Sequence, residues 1–170
     1  MIKIEYNFSP SLKLSAINPE NVIEAFKERI EQYYFEPLKL LNKKKFGFAA
    51  TAILASLLDI LAKVENRDTE NSKNRIKYTS WMGNNLELEP ELAKFFYDNF
   101  RCGLLHSGCI ESGGQISYSQ KESFLLDNAH FIINPNSLMK KLKKIFYNLI
   151  KKEDPVELYN YLRQRLVEIS

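Results

Sequence analysis

The chain has few of the residues that build disulfide-rich folds and metal centres. Its 170 residues include two cysteines, two histidines and one tryptophan. Cys102 and Cys109 lie seven positions apart without a second pair, a pattern that fits neither a disulfide framework nor a zinc site. We therefore expect a reducing, cytoplasmic environment and neither a metal nor another cofactor.

Glycine and proline are also scarce, at six residues each, which favours helices over a β-sandwich or a barrel. The content of 45% hydrophobic and 26% charged residues is ordinary for a globular domain. The length suits a single domain over residues 1–170. The net charge of +3 permits a nucleic-acid partner without favouring one.

One long apolar run is present, over residues 46–64, and three lysines precede it in what we expect to be a solvated turn. The run contains Asp59 and Lys63, is rich in alanine, and barely reaches the roughly 20 residues that a membrane span needs. The first six residues alternate polar and apolar side chains, unlike a secretory signal. We interpret the run as the buried central helix of a bundle and expect no membrane association.

Helical spacing of apolar residues dominates the first half of the chain. A first helix is predicted to start at Asn18, and Pro37 should end or kink it. Residues 65–75 are wholly polar and predict a surface loop. Residues 76–82 predict a short helix that anchors Trp81 in the core.

The second half combines helices with a short β-prone region. A third major helix is predicted to open at Pro90, with Gly108 as its C-terminal cap. Residues 109–111 and 115–118 flank a serine-glycine-glycine turn and predict a β-hairpin. Residues 129–133 form a further β-prone run, so a small sheet beside the bundle is expected.

Two more helices are predicted, one capped by Ser137 and the last by Asp154. The fold class is therefore mainly α: an up-and-down helical bundle with a small β-hairpin after the third major helix. Lysines make the Ser137 helix basic, which indicates either a track for an RNA backbone or, as we favour, the solvated face of an amphipathic helix. These lysines are Lys140, Lys141, Lys143, Lys144, Lys151 and Lys152.

Chemistry is concentrated near the end of the Pro90 helix, where four residues separate Arg101 from His106. Histidine can move a proton near neutral pH, and arginine can hold phosphoryl oxygens with a permanent charge and bidentate geometry. RNA cleavage through its own 2′-hydroxyl needs a base, an acid and a group that stabilises charge. His106 could be the base or the acid, and Arg101 the charge stabiliser. A two-fold dimer would supply the second histidine.

The spacing of this pair sets a geometric condition. On an ideal α-helix, residues five apart lie roughly 140° apart around the axis and about 7.5 Å along it. Arg101 and His106 converge if the helix loosens near Gly103 or Gly108, if the arginine reaches round, or if a partner chain completes the site. Asp59 could orient a catalytic residue, form a polar interface contact, or pair with a buried partner.

Arg101, His106 and the aromatic stretch at 95–100 that leads into them resemble the HEPN superfamily. Ribonuclease members of that superfamily carry arginine, a short spacer and histidine near the end of a bundle helix. The resemblance implies a metal-independent endoribonuclease with Arg101 and His106 as catalytic residues, leaving 2′,3′-cyclic phosphate ends. It also implies a homodimer with the motif at its interface, and a role as a toxin or in anti-phage defence, with an antitoxin or defence-system protein as a partner.

One residue departs from the pattern of the active members. They often carry a polar residue directly after the arginine, whereas this chain has Cys102. The alternative is therefore a non-catalytic HEPN-like helical module that binds a protein or an RNA partner.

Overall fold

A computed structural model of the chain describes residues 6–68, 74–128 and 130–167. Residues 166 and 167 are described by their backbone alone. The chain is mainly helical with a small three-stranded sheet, as the sequence predicts. The α-helices are α1 (Val22–Ile30), α2 (Glu36–Lys43), α3 (Gly47–Glu65), α4 (Asn74–Leu86), α5 (Pro90–Phe95), α6 (Pro135–Ile150) and α7 (Pro155–Val167). A 3₁₀ turn (Leu14–Ala16) and two π-helices (Glu31–Phe35 and Phe96–Ser107) complete the helical elements.

The first helix begins later than the sequence predicts. The side-chain oxygen of Asn18 accepts hydrogen bonds from the backbone N–H groups of Glu20 and Asn21. These bonds build a turn, and α1 begins only at Val22, whose N–H donates to the Asn18 carbonyl at 3.0 Å. Asn18 therefore precedes the helix, because its short polar side chain binds the local backbone and stabilises a turn.

Pro37 does not end the helical segment. A five-residue π-helix (Glu31–Phe35) connects α1 directly to α2, which contains Pro37 in its first turn. Proline lacks an N–H and its ring clashes with the carbonyl four residues earlier in a regular α-helix. The change of hydrogen-bond pattern just before Pro37 lets the helical path continue through this position.

The long apolar segment forms the central helix α3, as predicted. It packs against α2, α4, α6 and the second π-helix. By length and composition, α3 is the one helix in the described residues that is long and apolar enough to cross a membrane. In its apolar stretch of 18 residues, 50% is buried inside the protein. Its buried side chains are Ala50, Thr51, Leu54, Ala55, Leu57, Leu58, Leu61, Ala62 and Val64.

Trp81 anchors the core, as predicted. Its helix α4 is longer than residues 76–82, and the Trp81 side chain is only 2% exposed. The indole N–H donates to the Glu65 carboxylate at the end of α3, so the polar atom of this large side chain is satisfied. Residues 69–73 of the predicted 65–75 loop lie outside the described residues.

The predicted hairpin between residues 109–111 and 115–118 is wrong, although a small sheet is present. The sheet contains β1 (Gly114–Ile116), β2 (Phe124–Asp127) and β3 (His130–Ile133) in the order β1-β3-β2. β1 runs parallel to β3, and the hairpin is instead the antiparallel pair of β2 and β3. Residues 109–111 form no strand because their backbone folds back onto the preceding helix. Ala129, the start of the predicted 129–133 run, lies outside the described residues.

The cap of α6 also differs from the prediction. The side-chain oxygen of Asn134 accepts from the backbone N–H groups of Asn136 and Ser137, and Pro135 occupies the first turn. Proline is favoured there because its missing N–H needs no partner, so the helix starts before Ser137. The last helix follows the prediction: Asp154 Oδ1 accepts from the Glu157 N–H at 2.9 Å.

Candidate active site

Arg101 and His106 lie on the second π-helix (Phe96–Ser107), hereafter the long π-helix. Most π-helices are single turns, and many mark functional sites. This one covers 12 residues. Its hydrogen bonds run from residue i to residue i+5, so each turn holds more residues than in an α-helix and residues five apart lie closer together around the axis. The wider turn of this helix therefore brings Arg101 and His106 toward the same side, and the helix loosens as one of the predicted alternatives requires.

The two side chains contact each other within one chain. Nη1 of Arg101 lies 3.3 Å from Nε2 of His106. A guanidinium has donors only, so Nε2 accepts this hydrogen bond and the neutral imidazole then carries its hydrogen on Nδ1. The Arg101 side chain is 18% exposed, whereas His106 is exposed. The pair thus combines a mostly buried cation with a solvent-accessible imidazole.

Asp59 of the central helix holds the guanidinium from the other side. Its Oδ2 lies 3.7 Å from Nη2 of Arg101 and accepts a hydrogen bond from Lys63 at 3.2 Å. The Arg101 guanidinium also stacks over the ring of Tyr97 at 5.3 Å and donates weakly to the Cys102 sulfur at 3.9 Å. Contacts on several sides fix the orientation of Arg101 before any ligand arrives.

These contacts keep the guanidinium charged. Burial alone would lower the pKa of Arg101, but the hydrogen bond to Cys102 and the neighbouring Tyr97 and Asp59 outweigh it and raise that pKa. For the Tyr97 phenol burial acts in the opposite direction and raises its pKa, so the ring under the cation remains neutral at physiological pH. The site therefore presents a permanent positive charge next to an imidazole.

Two buried polar atoms at the site have no hydrogen-bond partner among the described residues. They are Nε of Arg101 and Oδ1 of Asp59. A buried donor or acceptor without a partner costs free energy. The site therefore retains one donor and one acceptor that a ligand or water molecule could satisfy.

Two glycines shape the C-terminal part of the long π-helix, which contains His106. A Cβ at Gly103 would lie 2.5 Å from the carbonyl oxygen of Cys109, so only glycine permits this close approach. The Cys109 N–H in turn donates to the Gly103 carbonyl at 3.3 Å. Gly108 has a φ of 66° and is the left-handed C-terminal cap that the sequence predicts. The return of the chain over Gly103 fixes the helical turn between Arg101 and His106.

A cluster of phenylalanines supports the helix from below and joins it to the sheet. Phe100 stacks on Phe96 with ring centroids 5.3 Å apart and meets Phe131 of β3 edge-on at 5.9 Å. Phe124 of β2 contacts both Phe96 and Phe131. The sheet thus packs against the face of the long π-helix that is opposite to solvent.

The remaining candidates lie elsewhere or were missed. His130 is exposed on β3, opposite Asp127 in the register with β2. Sequence reasoning missed Tyr97, although its place one helical turn before Arg101 was a usable signal. In the basic helix α6, Lys143 pairs with Glu31 at 2.9 Å and Lys141 donates to the Leu86 carbonyl, so some of its lysines make structural contacts.

The described part of the chain contains no group of three or more His, Cys, Asp or Glu side chains that could hold a metal ion. Comparisons of the chain with protein-family models, with curated proteins and with solved structures find no match. The Arg101–His106 pair and its surroundings are therefore the features of the chain that indicate a function.

Proposed function

We propose that the protein is a metal-independent endoribonuclease of HEPN type that acts as a homodimer in the cytoplasm. One observation carries the proposal. The guanidinium of Arg101 and the imidazole of His106 meet at 3.3 Å on a π-helix, whose wider turn brings residues five apart toward the same side. An arginine and a histidine that contact each other at an exposed helix end are suited to a phosphodiester, because one holds its charge and the other moves its proton.

The reaction uses the 2′-hydroxyl of RNA as nucleophile. When the phosphate binds, Nη1 of Arg101 turns from Nε2 of His106 to a phosphoryl oxygen, and the freed Nε2 takes the 2′-hydroxyl proton. The 2′-oxygen bonds to phosphorus, the bond from phosphorus to the 5′-oxygen breaks, and the leaving oxygen receives a proton. Arg101 stabilises the negative charge on the phosphoryl oxygens. The products are a 2′,3′-cyclic phosphate and a 5′-hydroxyl.

The count of proton-transfer groups supports a dimer. One imidazole cannot readily act as base and acid in a single displacement. His130 is separated from the pair in the chain and lies on the sheet. A two-fold arrangement would bring the partner's His106 to the same phosphate as the acid. Each chain would then contribute an Arg–His pair that is already assembled.

Arg101 has polar and aromatic contacts although Cys102 stands where active family members often carry a polar residue. The Cys102 sulfur accepts a weak hydrogen bond from Arg101, while Asp59 and Tyr97 supply the stronger contacts. In this proposal Asp59 takes over the support that a polar residue after the arginine gives in active family members. An RNA target in toxin–antitoxin systems or in anti-phage defence, with an antitoxin or defence-system partner, follows from the HEPN resemblance.

An RNA-cleavage assay in the presence of EDTA tests the proposal. The wild type should cut single-stranded RNA, and His106→Ala should lose at least a hundredfold in rate, as for other general acid–base residues. His130→Ala is the matched control, because it removes the other histidine, which is exposed and lies on β3, and should cut at the wild-type rate.

Product ends and oligomeric state sharpen the test. Treatment of the products with acid should open a 2′,3′-cyclic phosphate, and light scattering should report a dimer. If the purified dimer cuts no RNA, or His106→Ala cuts as fast as the wild type, the enzyme proposal is wrong. The alternative of a non-catalytic HEPN-like module then stands.

A further inference from the structure

The turn between α2 and α3 exposes a cluster of lysine and phenylalanine side chains. Lys43, Lys44 and Lys45 are all exposed. Phe46 and Phe48, which follow at once, are 59% and 54% exposed. We call these five residues the Lys–Phe surface.

The cluster is costly for the folded chain unless it binds something. Two large apolar side chains face water here instead of the core. In the described part of the chain, no acidic side chain forms an ion pair with any of the three lysines. Lys45 also has a φ of 56°, a left-handed conformation in which glycine is normally preferred. Backbone conformations of this unfavourable kind are common at functional sites.

The Lys–Phe surface and the Arg101 site share one face of the central helix. Phe48 and Asp59 are eleven residues apart on α3, so they lie within about 20° of each other and about 16 Å apart along the axis. Ala52 and Ser56 occupy the same side of α3 between them and are partly exposed. Small, partly exposed residues therefore connect the Lys–Phe surface to the carboxylate that holds Arg101.

We propose that the Lys–Phe surface binds single-stranded RNA beside the point of cleavage, an inference that rests on the proposed ribonuclease function. The lysines would contact backbone phosphates, and Phe46 and Phe48 would stack on bases. Lysine with exposed aromatic rings is the combination by which proteins hold single strands without sequence preference. The position on the same face as Arg101 favours RNA over an anionic membrane, which would also attract the lysines.

Binding of a non-cleavable oligonucleotide tests the inference without depending on catalysis. The probe is a fluorescent 2′-O-methyl oligouridine of about twelve nucleotides, long enough to cover one binding site. Its lack of a free 2′-hydroxyl prevents cleavage. Fluorescence anisotropy of the full chain with K43E/K44E/K45E should show at least a tenfold weaker affinity. The slope of log K against log salt should fall by about 2, because three phosphate contacts are lost.

The matched control changes the same number of charges on another exposed surface. K140E/K144E/K151E alters three exposed lysines on and just after α6 and should weaken binding less than about threefold, through the overall charge alone. Equal losses in the two triple variants would contradict the inference, because net charge rather than the Lys–Phe surface would then set the affinity.

The phenylalanines give an independent test. F46S/F48S should weaken binding about tenfold or more without changing the salt slope, because stacking involves no counterion release. Ile76→Ser with Val156→Ser removes two other exposed apolar side chains and should bind as the wild type does. Thermal unfolding of each variant tests whether it remains folded.

Vesicles of phosphatidylserine and phosphatidylcholine separate RNA from a membrane. If K43E/K44E/K45E loses vesicle binding but retains oligonucleotide binding, the inference is wrong. If oligonucleotide binding depends on the Lys–Phe surface while wild type and His106→Ala both fail to cut RNA, the surface inference holds and the ribonuclease proposal fails. The two proposals can therefore fail separately.

Discussion

His106 accepts a hydrogen bond from Arg101 across one turn of a π-helix, with 3.3 Å between Nη1 and Nε2. On an α-helix the same two positions would lie roughly 140° apart, and the contact would need an unusual reach of the arginine. The wider turn of the π-helix therefore favours contact between these two residues. Asp59, from the neighbouring central helix, then fixes the arginine in that position.

Asp59→Asn tests whether this carboxylate positions Arg101. We expect the rate constant for RNA cleavage to fall roughly tenfold or more, because the guanidinium loses its charged anchor at 3.7 Å. Affinity for a non-cleavable 2′-O-methyl oligonucleotide should stay equal or rise, because a negative charge leaves the site. Single-turnover cleavage and anisotropy measure the two quantities.

Lys63→Gln is the control for this substitution. Lys63 donates to the same Asp59 oxygen at 3.2 Å, but its removal leaves the contact between Asp59 and Arg101 in place. Cleavage should therefore change less than about threefold, because the charged anchor of the guanidinium is kept. If the Asp59→Asn variant cleaves RNA at the wild-type rate, Arg101 needs no anchor from α3.

Gly103→Ala tests the close approach that ends the long π-helix. A methyl group at this position would meet the Cys109 carbonyl oxygen at 2.5 Å, so the returning chain must move. We expect a loss of about 1–3 kcal/mol in the free energy of unfolding, typical of forced overpacking, together with slower RNA cleavage. Urea denaturation followed by Trp81 fluorescence measures the first quantity.

Gly83→Ala is the matched control on α4. Its added Cβ would find only the Leu88 carbonyl oxygen, at 3.5 Å, which is an ordinary contact. Alanine should stabilise this helical position by about 0.5–1 kcal/mol, because glycine loses more conformational freedom on folding. Similar destabilisation by both alanine substitutions would mean that the approach of Cys109 to Gly103 is not specific.

Much of the fold follows from local sequence signals, and the exceptions have identifiable causes. The central helix, Trp81 and the Gly108 cap were predictable because apolar content, size and backbone freedom act locally. Asn18 and Ser137 were placed wrongly because several residues near each helix start can serve as a cap, and neighbouring prolines and turns decide among them.

The hairpin was assigned to the wrong strands for a non-local reason. β1 pairs with β3, which lies well over ten residues further along the chain, and local turn signals do not report such pairing. For the site, the sequence located Arg101 and His106 but not the helix type that brings them together. The π-helix depends on packing of Phe100 and Gly103 against the sheet and the returning chain, which periodicity alone does not contain.

Phe100→Ala tests the support beneath the site. The ring is fully buried between Phe96 and Phe131, so its removal leaves a cavity under Arg101. We expect a loss of about 3–5 kcal/mol in the free energy of unfolding, the usual cost of truncating a buried phenylalanine. Phe46→Ala, at an exposed phenylalanine, should change that free energy by less than about 0.5 kcal/mol. A small effect at Phe100 would contradict the packing described here.

The contact of Glu31 with α6 should make the free energy of unfolding depend on pH in the acid range. Burial raises the pKa of Glu31, but hydrogen bonds from Tyr147 and Lys143 outweigh it and hold that pKa below its ordinary 4.5. A carboxyl group with a depressed pKa in the folded state stabilises the fold above its ordinary pKa. That stabilisation is lost as the pH falls through the folded value. Conversely, the hydrogen bond to Glu31 raises the pKa of Tyr147 to about 12, so the phenol loses its stabilising effect as the pH rises through about 12.

Glu31→Gln tests this linkage at the acid end. At pH 7 the variant should be less stable than the wild type by about 1.5 kcal/mol, the lower range for hydrogen bonds to a charged group. The difference should shrink as the pH falls below 4.5, because the wild-type carboxyl then becomes protonated and loses its charge too. Glu24→Gln, at an exposed carboxylate paired with Lys27, should differ from the wild type by less than about 0.5 kcal/mol at every pH. A difference at Glu31 that stays constant between pH 7 and pH 3 would show that shape, and not charge, connects this residue to α6.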